Sequence, residues 1–105
     1  MVYDVQFSTA AKEDLDRVFE FALQRELDSA TGDLDIPARA LQAIRDGIGF
    51  LRLSPFACRK VGDGPFFREL VITFGSSGYV ALFEIVNDST VIIGAVRHQL
   101  EDDYH

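Results

Sequence analysis

The 105-residue sequence predicts one α+β domain, with a helical hairpin packed on a small, twisted, antiparallel-rich sheet. Three observations carry this. Residues 66–99 hold three β-rich runs separated by short turn signals, the pattern of a meander. Residues 9–54 hold two stretches whose apolar side chains recur at helical spacing. Apolar residues make up 48% of the chain and include nine Phe, enough for one core without disulfide or metal staples. The element order read from the chain is β-α-α-β-β-β, and residues 1–105 form a single domain.

The first strand is Val2-Tyr3-Asp4-Val5-Gln6-Phe7, where apolar and polar residues alternate. Ser8 and Thr9 follow as candidate N-caps, whose side-chain oxygens accept from otherwise unpaired helix N–H groups. Ala11, Leu15, Val18, Phe19 and Ala22 then share one helical face, and Lys12, Asp16, Glu20 and Gln24 the other. Glu13, Asp14 and Asp16 lie in the opening turns and are expected to favour the positive end of the helix dipole. The helix is expected to fray between Ser29 and Asp33, where Gly32 breaks the pattern.

A second helix begins at Asp35 as N-cap, with Pro37 tolerated because first-turn N–H groups lack intrahelical partners. Leu41, Ile44, Ile48 and Leu51 form its seam. Gly47 and Gly49 weaken it by about a kilocalorie per mole each relative to Ala, and are expected to permit close approach to the neighbouring helix. Ser54-Pro55 ends it, because a residue before proline avoids the α region. Residues 56–65 are loop or edge strand, with a short extra strand near Lys60. The run from Tyr79 to Val86, apolar on both faces apart from Glu84, is expected to be buried on both sides. Gly75-Ser76-Ser77-Gly78 joins two strands with no helix behind it and no Gly-Lys-Ser/Thr, so it is a hairpin turn, and no phosphate loop.

Charge and cysteine content narrow the function. Ten Lys and Arg against seventeen Asp and Glu leave −7, of which −4 lies in residues 1–57 and −3 in residues 58–105. Such a field disfavours direct DNA binding and makes a basic partner segment, or a protein target, the easier expectation. One cysteine, Cys58, cannot form an internal disulfide, and with no leader and no apolar run of about 18 residues this points to the cytoplasm. His98 and His105 are the only histidines and no Cys–His spacing exists, so no metal site and no cofactor are expected.

Several motifs in order resemble the RelE/ParE toxin superfamily. They are a short first strand, a helical hairpin ending in Leu51-Arg52-Leu53-Ser54-Pro55, the strand motif Arg68-Glu69-Leu70, and Gly78-Tyr79 followed by Leu82-Phe83. The ending Ala95-Val96-Arg97-His98-Gln99, followed by acidic residues and Tyr104, resembles the ParE or plasmid-stabilisation branch. The resemblance spans essentially the whole chain. It implies a toxin of a type II toxin–antitoxin pair, forming a hetero-oligomer with a cognate antitoxin that neutralises it.

Two mechanisms follow from the resemblance. RelE-like members are ribosome-dependent endoribonucleases that use lysines and arginines on the central strands and a tyrosine near the C-terminus. Cleavage through a 2′-hydroxyl needs a proton acceptor, cations around the phosphorane and a donor for the leaving oxygen. Here Val80 replaces the arginine after the Gly-Tyr pair, and Val71 and Thr73 stand where lysines are expected. If the chain were a ribonuclease, Arg68, Arg97, His98 and Tyr104 would be its catalytic set. ParE-like members instead bind and inhibit DNA gyrase without catalysis, and this is the favoured reading. The target-binding candidates are then Arg59, Arg68, Arg97, His98 and Tyr104. For antitoxin docking, the resemblance and the helical pattern together nominate Phe19, Leu41 and Ile48 in a groove between helices and sheet.

Overall fold

The computed structural model describes residues 2–99. The elements run β1 (Asp4–Phe7), α1 (Thr9–Asp28), α2 (Ile36–Gly49), two 3₁₀ turns (Phe50–Arg52 and Pro55–Ala57), β2 (Arg59–Lys60), β3 (Phe67–Phe74), β4 (Ser77–Asn87) and β5 (Thr90–His98). They form a five-stranded mixed sheet in the order β1-β5-β4-β3-β2, with α1 packed on β5 and α2 on β3. The meander β3-β4-β5 is antiparallel as expected, and the short strand near Lys60 adds to its β3 edge. β1 pairs parallel to β5, Asp4 opposite Thr90 through Phe7 opposite Ile93.

Helix α1 starts where the sequence places it, with the Ser8 hydroxyl oxygen accepting from Ala11 N–H at 3.0 Å. Asp35 occupies the N-cap position of α2 but makes no side-chain cap bond. Asp33 does the local work instead. Its carboxylate accepts from Asp35 N–H at 2.9 Å and pairs with Arg39 at 2.7 Å. The α-helix also stops earlier than Ser54. It tightens at Phe50 into a 3₁₀ turn that carries the chain to Leu53.

Ile44, Leu51, Phe83, Val91 and Ile93 form the fully buried centre between the helices and the sheet. Gly47 lets α2 approach a strand, rather than the other helix: a Cβ there would lie 2.8 Å from Ile72 Cγ1. Gly49 faces open space, so close packing does not explain it. Gly75, at φ 62, begins the two-residue turn that sets Phe74 opposite Ser77. β4 is covered on both faces only at its start. Tyr79, Val80 and Ala81 are buried, whereas Leu82 and Glu84 are half-exposed and Val86 is exposed.

Candidate functional site

β1 covers β5 only as far as Ile93, so the rest of that edge has no strand beside it among the described residues. Side chains from the start of α1 satisfy part of it. Ser8 Oγ donates to Gly94 O at 3.3 Å, and Val96 N–H donates to Asp14 Oδ2 at 2.9 Å. Asp14 is 1% exposed and also pairs with Arg17. It therefore ties helix to sheet across 82 residues of sequence, and does not serve the helix dipole as its position near the N-terminus predicts.

Between this edge and α1 lies a cavity of about 550 Å³. One wall is the stripe Asp14, Arg17, Val18, Phe21, Ala22 and Arg25 of α1; the other is Tyr79, Val96, Arg97 and His98. Helical periodicity makes the stripe, since residues three and four apart share a face. The antiparallel register sets Tyr79 opposite His98, and their rings meet edge to face with centroids 5.5 Å apart. His98 Nε2 lies 3.1 Å from Ser77 Oγ, which anchors the ring to the start of β4. Burial pushes the Tyr79 phenol above its ordinary range, opposed in part by the positive charge of Arg25. The hydroxyl therefore stays protonated, as a hydrogen-bond donor, at neutral pH.

The predicted target-binding residues do not converge. Arg97 and His98 both line the cavity, and Arg97 Nη1 also bonds the carbonyls of His98 at 3.3 Å and Gln99 at 3.5 Å. Arg59 and Arg68 sit on β2 and β3, across β4 from them. Arg59 pairs with Glu69 at 2.5 Å. Arg68 is committed to its own loop: Nε donates to Pro65 O at 2.8 Å, and Nη1 to Phe56 O at 2.9 Å and Cys58 O at 2.7 Å. Its guanidinium carbon also lies 5.1 Å from the centre of the Phe56 ring. Tyr104 lies outside the described residues.

Of the nominated antitoxin anchors, Phe19 and Leu41 are half-buried and Ile48 is a core residue, 6% exposed. The exposed aromatic of α1 is Phe21, 65% exposed at the cavity wall. Phe21 stands three residues after Val18 and four before Arg25, at the border of the core-facing stripe to which Val18 and Ala22 belong.

A family model for the ParE toxin of the type II toxin–antitoxin system ParDE matches residues 5–103. The chain belongs to the ParE toxin family. Solved structures that share its fold include two of toxin–antitoxin systems. One is the chromosomal ParDE toxin–antitoxin system from P. aeruginosa, at TM-score 0.68 and 15% identity, covering 92% of this chain and 96% of that one. The other is the RelBE2 toxin–antitoxin complex from Mycobacterium tuberculosis, at TM-score 0.59 and 23% identity, covering 93% and 99% respectively. No curated protein matches the chain. This ParE-family chain has no helix, among its described residues, long and apolar enough to cross a membrane.

Proposed function

We propose that this ParE-family toxin acts by binding DNA gyrase rather than by cutting RNA, and that a cognate antitoxin neutralises it in a hetero-oligomer. The observation that carries the non-catalytic reading is one row of the sheet. Val71 pairs with Val80, and Val80 with Arg97, across three adjacent strands. Thr73 follows Val71 on the same face by the two-residue period of the strand. A phosphorane carries charge that several preorganised cations must meet, and this row offers one. Both similar structures are of toxin–antitoxin systems, which supports a protein partner of the same kind for this chain.

Pulse-labelling of DNA and protein synthesis in the minutes after induction without antitoxin tests the proposal. DNA synthesis falling first is the expected result, followed by loss of supercoiling by purified gyrase when toxin is added. Translation falling first, with cleaved messages, would overturn it in favour of a ribosome-dependent nuclease. Normal synthesis of both would identify a partner-binding relative without toxicity.

A further inference from the structure

The cavity beside α1 reverses the sign of the chain that contains it. Arg17 and Arg25 of α1 reach its walls, Arg25 Nε also lying 3.5 Å from Glu26, and Asp14 is the carboxylate that lines it among the described residues, on a protein of net charge −7. Asp14 is itself 1% exposed and engaged with Arg17 and Val96 N–H, so it presents little charge at the opening. Arg17 and Arg25 are both more than half exposed. Between these cations lie Phe21, Ala22 and Val96, and Tyr79 at the back. Phe21, 65% exposed beside this concavity, offers an apolar side chain of a partner a surface to pack on.

From this geometry we infer that the cavity docks an acidic peptide segment of a partner protein, one large apolar side chain entering against Phe21 and Val18 and flanking carboxylates meeting Arg25 and Arg17. The inference rests on the toxin–antitoxin reading and specifies the chemistry of the partner's docking segment. It reverses the expectation, drawn from net charge alone, that this segment is basic. Net charge acts at long range, but beyond about 8 Å it is screened at physiological salt, and the arginines act inside that distance. A peptide suits the site better than a compact ligand because the cavity runs along β5 beyond Ile93, an edge with no strand beside it among the described residues. Tyr79, 5% exposed, closes the cavity toward the core.

A randomised 12-residue peptide library displayed on phage, panned against the purified full-length chain at 0.15 M salt, tests this directly. The expected winners carry two or more carboxylates around one aromatic or large aliphatic residue. Synthetic copies should bind Arg25→Glu at least about tenfold more weakly, since like-charge juxtaposition costs several kilocalories per mole. Phe21→Ala should weaken them too. Both substituted side chains are solvent-exposed, and circular dichroism melts serve as the control that the variants stay folded. Winners that are basic, winners indifferent to both substitutions, or no enrichment over the double variant would overturn the inference. So would peptides recovered only on a chain ending at Gln99, which would assign the cavity to residues 100–105. Growth arrest is not part of this readout, so a failed groove and a failed toxin reading remain distinguishable.

Discussion

Replacing Asp14 tests whether the helix is fastened to the sheet through one buried carboxylate. In Asp14→Ala the Val96 N–H, on an edge with no strand beside it, loses its acceptor. Leaving a buried donor unsatisfied costs about 1–3 kcal/mol. Arg17 adds little, because its side chain is 58% exposed and returns to water. A total of about 2 kcal/mol should lower Tm by roughly 8–16 °C, at about 4–8 °C per kcal/mol for a domain near this size. Asp14→Asn keeps a side-chain oxygen in the same place and loses only the charge, so its drop should be about half as large or less. Thermal melts by circular dichroism give both shifts, and amide hydrogen exchange reads Val96 itself. An alanine variant melting within about 2 °C of the parent, or a Val96 amide as protected as before, would refute the reasoning. If asparagine proved as damaging as alanine, the ion pair, and not the backbone acceptor, would be what matters.

The two helical glycines should respond to alanine with opposite signs. Gly47→Ala drives a Cβ to 2.8 Å from Ile72 Cγ1, and overpacking of about 1–3 kcal/mol exceeds the roughly 1 kcal/mol gained in helix propensity. Gly49→Ala meets nothing within 4 Å and should stabilise the chain by up to about 1 kcal/mol; urea midpoints moving the same way in both would contradict the packing described for α2. Burial pushes the Cys58 thiol up, with Arg68 opposing it, so native Cys58 should react slowly with iodoacetamide at neutral pH and quickly once urea unfolds the chain. Equal rates would show the thiol to be accessible. Cys58 and Tyr79 also make alkaline pH destabilising. Both titrate higher folded than unfolded, so from about pH 8.5 upward the unfolded chain releases protons that the native one keeps, and stability falls. A urea midpoint that rises between pH 8 and pH 10 would reverse that sign.

Much of the fold was legible because it is written locally. Ser8 caps α1, the apolar face of α1 runs from Ala11 to Ala22, and the turn at Gly75 sets the β3-β4 register. The parallel pairing of β1 with β5 was not legible, since nothing near Asp4 states that Thr90 lies beside it. Asp14 misled for the same reason. A carboxylate near a helix start has a sound local explanation, and only the folded chain shows Val96 N–H pointing at it. Ile48, nominated as an antitoxin anchor, is a core residue, whereas Phe21, which lines the cavity, was not singled out. Ile48 follows a four-residue repeat and falls in the core. Phe21 sits at the border of the core-facing stripe of α1, where periodicity alone cannot separate a surface aromatic from a misplaced core residue.

The charge of the chain and the charge of its cavity lead to different partners, and distance decides between them. A net −7 repels a polyanion during approach, which is unfavourable for a protein that must seat itself on RNA. A nuclease of this fold would have to overcome that repulsion with cations gathered at the reacting phosphate. Here the cations are dispersed: Arg68 is tied to three carbonyls, Arg59 is paired with Glu69, and Arg97 lies across β4 from both. What lies together is Arg17 and Arg25, on one side of α1 beside an apolar wall. A wall of that kind adds little to phosphate recognition but suits a side chain from another protein, where buried apolar anchors carry most of the affinity and rim charges set orientation and rate. The same argument that weakens the nuclease reading therefore favours a surface built to hold a protein segment.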